Sequence, residues 1–346
     1  MDLITGSCGI VGIHLLNAYT SAGERVRALY RKESDRTIVR RVFEHYSDQA
    51  DELLDRIEWV EGDLHDMGSL TDAMAGIRRI HHAAAMVSFD PRDARRLFKV
   101  NAEGTANVVN AALLQGVERI CHVSSTAAIG QADPRIERNE ALPWQSDRNT
   151  SSYAASKYAA ELEIYRGIAE GLDAVIVNPC VIIGPGAAGR STMTLIGKLH
   201  EGTRFFPPGS NAVVDARDVA QCMRQLIEVA PTGERYLLVG ENITYKDLFS
   251  KAAKAFGNKA PSIELSPALL ELGWRVERMR TALFGGKPFV TRATVHSSII
   301  QRKYSSKKVK DLLGYEFRSA DDALRNVAAY LKGSKERKGT ALREPA

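Results

Sequence analysis

The first half of the chain alternates short apolar segments with longer amphipathic ones. Between the apolar segments, hydrophobic residues recur at helical spacing, as they do in a helix expected from about residue 11 to 21. Further helices are expected at 34–56, with a break near Ser47, at 92–115 and at 152–170. The predicted strands cover residues 2–5, 25–30, 57–61, 77–83, 118–123 and 173–178. This alternation predicts an α/β fold with a parallel, doubly wound sheet and helices on both faces.

The second half loses the alternation and is dominated by helical patterns. Residues 1–183 are therefore expected to form one domain, and 184–332 a smaller, mostly helical region that holds the substrate. Short strands near 213–215 and 235–239 are expected to rejoin the edge of the sheet. The polar, basic tail, residues 333–346, is expected to be disordered. The predicted helices cover residues 191–201, 216–229, 244–256, 266–283, 306–313 and 320–332.

Composition narrows the class of protein. The chain has 346 residues, 44% hydrophobic and 26% charged, and no apolar run approaches the roughly 20 residues that span a membrane. No signal peptide is visible, so we expect a cytoplasmic location and no membrane partner. The net charge of +5 is spread along the chain, which suits phosphate ligands and does not indicate nucleic-acid binding. The four cysteines show no C-x-x-C spacing and are expected to be reduced.

A glycine-rich segment, Gly6-Ser7-Cys8-Gly9-Ile10-Val11-Gly12, joins the first strand to the first helix. Glycine allows a sharp turn and a close approach of the backbone to a ligand, and the free N–H groups of a helix N-terminus suit a pyrophosphate. The context favours dinucleotide binding over a plain turn. The candidate cofactor-binding residues here are Gly6, Cys8, Gly9, Ile10, Val11 and Gly12.

The end of the second strand bears on the choice of cofactor. Rossmann proteins selective for NAD usually end this strand with an acidic residue that binds the ribose 2′-OH. This chain has Tyr30-Arg31-Lys32 instead. Arg31 and Lys32 suit a 2′-phosphate, so we predict that NADP(H) is preferred and NAD(H) is possible. The alternative is that both are solvated surface cations.

Two other strand ends supply candidate cofactor contacts. Asp63 could bind the adenine amino group while Leu64 packs on the ring, although Asp63 could equally be a turn or N-cap residue. Ala83, Ala84 and Ala85 are small enough to let the backbone approach the cofactor. The neighbouring histidines lack partners at metal-ligand spacing, so no metal site is expected.

Tyr153 and Lys157 open a long helical pattern and lie one turn apart on the same helix face. A free tyrosine has a pKa of about 10, and a nearby ammonium lowers it toward the working range of a general acid or base. The alternative is a surface tyrosine and a surface lysine. The rest of the chain favours the catalytic interpretation.

Together these motifs resemble the extended short-chain dehydrogenases/reductases, the NAD-dependent epimerase/dehydratase family. Two later segments, Tyr304-Ser305-Ser306-Lys307 and Leu313-Gly314-Tyr315, look most like the branch of dihydroflavonol 4-reductases and 3β-hydroxysteroid dehydrogenases. The matching segments appear in the family's order and extend to about residue 335. They are Thr5-Gly6-x-x-Gly9-x-x-Gly12, Gly62-Asp63-Leu64, His82-Ala83-Ala84-Ala85, Val100-Asn101-x-x-Gly104-Thr105-x-Asn107-Val108, Val123-Ser124-Ser125, Tyr153-x-x-x-Lys157, Asn178-Pro179 and Gly184-Pro185-Gly186.

The resemblance implies a role for each catalytic candidate. Tyr153 would be the general acid in carbonyl reduction, and Lys157 would lower its pKa and bind the nicotinamide ribose. Ser125, five residues before Gly130 as in the family, would hydrogen-bond the substrate oxygen, with Thr126 as the alternative. Asn101 would support the site from behind. The residues expected to pack on the nicotinamide are Pro179 and Ile182.

The leading hypothesis is an NADP-dependent oxidoreductase that reduces a ketone or aldehyde, or oxidises the corresponding alcohol. A dehydratase is disfavoured because Thr126 and Ala127 stand where that class carries an Asp–Glu pair. The alternatives are a nucleotide-sugar epimerase with tightly bound NAD and a non-catalytic NAD(P)-sensing protein. The expected partner is a small carbonyl or alcohol, and the helices at 92–115 and 152–170 could form a homodimer.

Overall fold

The structure is a computed structural model, and it describes residues 1–130, 133 and 136–341. The end of the tail expected to be disordered, residues 342–346, lies outside the described residues.

Strands and helices follow one another along the chain as the alternation predicts. The strands are β1 (Asp2–Thr5), β2 (Val26–Tyr30), β3 (Ile57–Glu61), β4 (Arg79–His82), β5 (Arg119–Val123), β6 (Asp173–Pro179), β7 (Val181–Ile183), β8 (Phe205–Phe206), β9 (Ser210–Asp215), β10 (Arg235–Leu238), β11 (Glu241–Thr244) and β12 (Ile263–Glu264). The helices are α1 (Ile10–Ser21), α2 (Thr37–Tyr46), α3 (Ala50–Leu54), α4 (Met67–Met74), α5 (Ala94–Phe98), α6 (Gly104–Gln115), α7 (Ser152–Ala169), α8 (Thr192–Glu201), α9 (Ala216–Val229), α10 (Tyr245–Phe256), α11 (Pro267–Phe284), α12 (Arg292–Ile299), α13 (Lys307–Leu313) and α14 (Ala320–Ala341). A π-helical turn, Lys99–Glu103, joins α5 to α6.

The main sheet has seven parallel strands in the order β10-β6-β5-β4-β1-β2-β3. The strand order reverses between β1 and β4, and ligands bind at this switch point in open α/β sheets, outside the carboxyl ends of the strands. The predicted doubly wound Rossmann fold is confirmed.

Alternate residues of the central strands bury their side chains on opposite faces of this sheet. In β6, Val175 and Val177 pack with α1 and α9, whereas Ala174 and Ile176 pack with α4, α6 and α7. Parallel strands covered on both faces are rich in apolar residues. β6 accordingly reads as a nearly continuous hydrophobic run, whereas β4 and β5 bury histidines among their apolar residues.

Of the two short strands predicted in the second half, only one joins the main sheet. β10 joins the edge of the main sheet beside β6, as predicted. β9 does not: it lies in a separate three-stranded sheet, between β7 and β11. This small sheet packs against α8, α10 and α14 around its own core. The domain boundary at residue 183 stays a prediction.

Other differences from the sequence expectation concern helices. α4 was not predicted, and the helix expected at 34–56 is two helices, α2 and α3, separated at the expected break. α14 continues to Ala341, into the tail expected to be disordered, because lysine, glutamate and arginine are good helix formers even without an apolar face. No helix in the described part of the chain is both long enough and apolar enough to span a membrane.

A buried aspartate ties the C-terminal segment to the main domain. Asp218, on α9, is fully buried and accepts hydrogen bonds from the Tyr315 hydroxyl at 2.8 Å and from the Arg318 backbone N–H at 2.8 Å. The Arg318 guanidinium also pairs with it. Removing one partner of a buried charge pair leaves the other uncompensated, which is strongly destabilising.

We therefore expect Asp218→Ala to lower the free energy of unfolding by about 3 kcal/mol. The measurement is chemical denaturation of the purified variant. The control is Asp311→Ala, which removes an exposed partner of Lys307 and should leave stability nearly unchanged. Equal effects of the two substitutions would contradict the anchoring role of Asp218.

Candidate active site

Tyr153 and Lys157 lie in the first turns of α7, where the sequence predicted them. Ser151 caps the helix, because its hydroxyl accepts the backbone N–H of Ala154 at 3.1 Å. Lys157 is buried, whereas Tyr153 is only partly covered. The pair therefore combines a protected cation with a hydroxyl that can reach a ligand.

Ser125 lies near Tyr153 and affects its pKa. Burial raises the pKa of Tyr153, and the Ser125 side chain opposes that rise. Ser125 is partly exposed at the end of β5, while the alternative, Thr126, is 7% exposed and points into the protein. The geometry favours Ser125 as the second hydroxyl of the site.

Lys157 does not lower the pKa of Tyr153 as expected. Its ammonium donates to the backbone carbonyl of Val123 at 2.7 Å, and the groups acting on Tyr153 are burial and Ser125. Burial lowers the pKa of Lys157 to about 8, and the negative charge of Glu161 opposes that shift. Lys157 is therefore charged at neutral pH but loses its proton far more easily than a surface lysine.

Glu161 lies beside the candidate site and was not singled out from the sequence. It is fully buried one turn after Lys157 and accepts hydrogen bonds from Asn178 at 2.6 Å and Arg235 at 3.2 Å. Burial raises its pKa while these donors oppose the rise. The spacing of Lys157 and Glu161, four residues apart, was the available signal, because it places both groups on one helix face.

Asn101 connects two segments next to the candidate site. It is buried in the π-helical turn, and its side-chain amide accepts from Met86 N at 2.7 Å and donates to Met86 O at 3.0 Å. The same amide nitrogen donates to Ser156 Oγ at 2.9 Å, and Ser156 in turn donates to the Tyr153 carbonyl at 2.8 Å. Asn101 thereby links the segment after β4 to the start of α7.

The glycine loop is packed too tightly for any side chain at two of its glycines. A Cβ on Gly12 would lie 2.2 Å from the Gly6 carbonyl oxygen, and a Cβ on Gly6 would lie 2.6 Å from Ala84 N. Gly6 also has a φ of +67°, which favours glycine. The loop after β1 thus rests on the backbone of the loop after β4, at the switch point of the sheet.

This cradle fits the pyrophosphate of a dinucleotide. The N-terminus of α1 has no side-chain cap and no acidic residue in its first turn, so its N–H groups remain available to an anion. Four partly exposed residues pack against the same hydrophobic core: Cys8, Ile10, Ala83 and Ile182. They are therefore candidates for the wall of the cofactor cleft. Burial raises the pKa of Cys8, so its thiol stays protonated and acts as a small apolar contact.

The adenosine end of the cleft carries several cations. Arg31 and Lys32 are exposed at the end of β2, as expected. Arg36, which the sequence gave no reason to select, lies over the Tyr30 ring at 4.5 Å and the Trp59 ring at 5.5 Å. Arg36 thus stacks on the ring of Tyr30, the residue that directly precedes Arg31 and Lys32.

Two further candidates have structural partners in the protein. One carboxylate oxygen of Asp63 accepts the N–H of His65 at 2.9 Å, so the turn role is present and the second oxygen stays available. Leu64 is buried against Gly104 and receives a hydrogen bond on its carbonyl from Asn107 at 2.8 Å. Pro179 is buried at the end of β6.

The histidines near the site are buried and neutral. His82 hydrogen-bonds Thr5 at 2.7 Å and Thr105 at 3.0 Å, and its pKa is lowered to about 3 by burial and by Lys157. His122 lies beside it, with ring centroids 5.1 Å apart, and its pKa is also lowered. No group of three or more metal-ligating side chains occurs within the described residues.

An aromatic side chain stands at the mouth of the site. Phe89 contacts the Tyr153 ring edge-on, with centroids 5.7 Å apart, and is 43% exposed. Trp144 stacks on Tyr158 with ring centroids 4.6 Å apart. Gly130 packs directly on the Pro143 backbone, where no side chain would fit.

The fold and this arrangement define an NAD(P)-dependent short-chain dehydrogenase/reductase of the extended type. The chain belongs to the NAD dependent epimerase/dehydratase family, whose model matches residues 3–238. It is 32% identical over 271 residues to sterol demethylase protein B of Methylococcus capsulatus, covering 78% of each chain. It is 31% identical over 338 residues to a Synechocystis sp. protein provisionally named dihydroflavonol 4-reductase, covering 95% of this chain and 94% of that one.

A solved structure shows the same fold along nearly the whole chain. The crystal structure of gox2253 superposes with a TM-score of 0.80 at 32% sequence identity, covering 96% of this chain and 98% of that chain. The predicted membership of the extended family, and the resemblance to the dihydroflavonol reductase branch, are confirmed.

We expect Gly12→Ala to weaken binding of both NADPH and NADH by at least about tenfold, because the new methyl group would push the Gly6 carbonyl out of the cradle. Fluorescence titration with each cofactor measures the effect. Gly197→Ala is the control, since a Cβ on Gly197 meets no atom within 4 Å. Unchanged affinity in Gly12→Ala would show that the cofactor lies elsewhere.

Proposed function

We propose that this protein is an NADP(H)-dependent oxidoreductase that reduces a ketone or aldehyde, or oxidises the corresponding alcohol. The observation that carries the proposal is the grouping of the Ser125 and Tyr153 side chains at the carboxyl edge of the sheet, with the Lys157 ammonium one helical turn away. The glycine cradle and the Ala83–Ala85 loop follow neighbouring strands and end at the same edge. Cofactor and acid thus meet at one place.

The residues present fit the cofactor from one end to the other. The N-terminus of α1 would hold the pyrophosphate, Lys157 the nicotinamide ribose, and Pro179 and Ile182 the nicotinamide face. When bound, the cofactor supplies the hydride. The chain's own residues orient it, exclude water and supply the proton.

The pKa directions suit reduction at neutral pH. Burial keeps the pKa of Tyr153 above its ordinary value, so its hydroxyl carries a proton that it can donate to the developing alkoxide. Ser125 would hydrogen-bond the same oxygen and hold it next to Tyr153.

The preference for NADP(H) rests on the cations at the end of β2. Neither Arg31 nor Lys32 forms an ion pair within the described part of the chain, and Arg36 stacks on two aromatic rings, one of them that of Tyr30, the residue before Arg31. Guanidinium groups bind phosphate with bidentate geometry. This arrangement suits the 2′-phosphate that distinguishes NADP from NAD.

The substrate class is supported by a relative's name and by the mouth of the site. The Synechocystis relative is named for a reductase, and the Methylococcus relative for sterol demethylation. Phe89 offers an apolar ring directly beside the Tyr153 ring. We propose a largely apolar carbonyl compound as the substrate.

We expect the wild-type protein to oxidise NADPH faster than NADH with one class of carbonyl compound from a broad panel, and Tyr153→Phe to reduce kcat by at least about 100-fold, because the proton donor is lost. NADPH binding should remain nearly intact. Tyr165→Phe is the control, since Tyr165 lies on the same helix and packs on the core beneath the sheet. Full activity in Tyr153→Phe, or NAD that co-purifies with no net cofactor consumption, would overturn the proposal.

We expect NADPH affinity to fall as pH rises through about 8. A bound anion favours charged Lys157 and raises its pKa, so binding takes up a proton and weakens once the free protein has lost that proton. Glu161→Gln removes the charge that raises the pKa of Lys157 and should move the midpoint to lower pH. Fluorescence titration across the pH range measures both effects.

Glu163→Gln is the matched control for that experiment, because Glu163 lies on the same helix but pairs with Arg166 at the surface. Its midpoint should equal that of the wild type. Lys157→Met should remove the pH dependence altogether. An unshifted midpoint in Glu161→Gln would contradict the positioning role of Glu161.

A further inference from the structure

α11 presents its apolar side to solvent. Within the described residues, none of its side chains is buried, although it is rich in leucine and other large apolar residues. The exposed ones are Leu269, Leu272, Val276, Met279 and Leu283, each between 53% and 73% exposed, followed by Phe284 at 81%. Clustered exposed apolar side chains mark an interaction site more often than scattered ones do.

These residues form one continuous stripe. At 3.6 residues per turn, the stripe Leu269 to Leu283 falls within an arc of about 80° on one helix face. The opposite face carries the side chains that are partly covered by the protein: Leu270, Trp274, Glu277 and Thr281. We call the outward stripe, together with Phe284, the α11 face.

The edges of the α11 face are basic. Arg275 borders it on one side and Arg280 on the other, and both are more exposed than the glutamates with which they pair, Glu271 and Glu277. From Pro267 to Arg292 the chain has five cations and two anions, which gives a net charge of +3. The five cations are Arg275, Arg278, Arg280, Lys287 and Arg292.

We propose that the α11 face docks on an anionic membrane surface. An apolar helix face bordered by arginines suits the boundary between headgroups and acyl chains, where the stripe enters the apolar layer and the guanidinium groups remain at the lipid phosphates. This is attachment to the surface and requires no spanning helix. It departs from the sequence expectation of no membrane partner.

The charges disfavour a second copy of this chain as the occupant. A symmetric pairing through the α11 face would bring the arginine edges of two copies together. The acidic residues that could offset them point toward the protein side of the helix. A bilayer containing anionic lipid offers the opposite charge instead.

The position of the α11 face relative to the active site strengthens the proposal. Directly after α11, the Gly286 carbonyl accepts a hydrogen bond from Arg92 at 2.6 Å, in the segment that carries Phe89. Arg292, at the start of α12, donates to Asn149 at 3.3 Å, just before α7. The segment between α11 and α12 therefore lies beside the mouth of the site. If the proposed function holds, an apolar substrate could enter from the membrane.

The test is sedimentation of the full-length protein with vesicles of phosphatidylcholine alone or with added phosphatidylglycerol. We expect binding to the anionic vesicles, weakened by salt, and little binding to the neutral ones. Val276→Glu should weaken this binding by about tenfold or more, because it places a charge in the stripe that would enter the apolar layer of the bilayer. The measurement needs neither cofactor nor substrate, so its result is independent of the proposed activity.

Val229→Glu is the matched control: Val229 is 56% exposed on α9, and Val276 is 57% exposed. It should bind vesicles like the wild type, and both variants should keep the wild-type circular dichroism spectrum and NADPH affinity. Absence of vesicle binding in the wild type, or equal loss in both variants, would overturn the proposal. Self-association abolished by Val276→Glu, without vesicle binding, would show that the α11 face joins two copies instead.

Discussion

The burial of the Lys157 ammonium is the constraint on which the site depends. A charge removed from water is costly unless hydrogen bonds and an opposite charge compensate it. Here the Val123 carbonyl and Glu161 compensate it, and Glu161 is itself held by Asn178 and Arg235. Three strands contribute to this network: β5 supplies Val123, β6 supplies Asn178 and β10 supplies Arg235. The C-terminal half thus contributes to the electrostatics of the site, because β10 joins the main sheet beside β6 and carries Arg235.

The parts of the fold that the sequence revealed are those governed by local or periodic rules. The parallel strands were readable because both of their faces are buried, and the glycine loop because its backbone contacts exclude a Cβ. Tyr153 and Lys157 were readable because a helix fixes their relative position. In each case the determining constraint lies within a few consecutive residues.

The features that escaped prediction depend on distant parts of the chain. β9 is an apolar segment like β10, and only the packing of α8, α10 and α14 assigns it to the small sheet. Arg36 has no sequence signature, because its place is set by the rings of Tyr30 and Trp59 on two different strands. The pKa of Tyr153 also ran against expectation, since the Lys157 ammonium is directed to Val123 and burial then dominates.

The π-helical turn at Lys99–Glu103 shows how one residue of chain length can set an active site. A π-helical hydrogen bond joins residues five positions apart instead of four, so the turn contains one extra residue. That residue rotates the preceding helix by about 100° relative to the following one. Asn101, within this turn, contacts Met86 and Ser156, while Thr105, one turn later, contacts His82. Regularising the turn would rotate α5 relative to α6 by the same angle, and α5 would then no longer pack where it does. The π-helical turn therefore sets how α5 is rotated about its axis relative to α6.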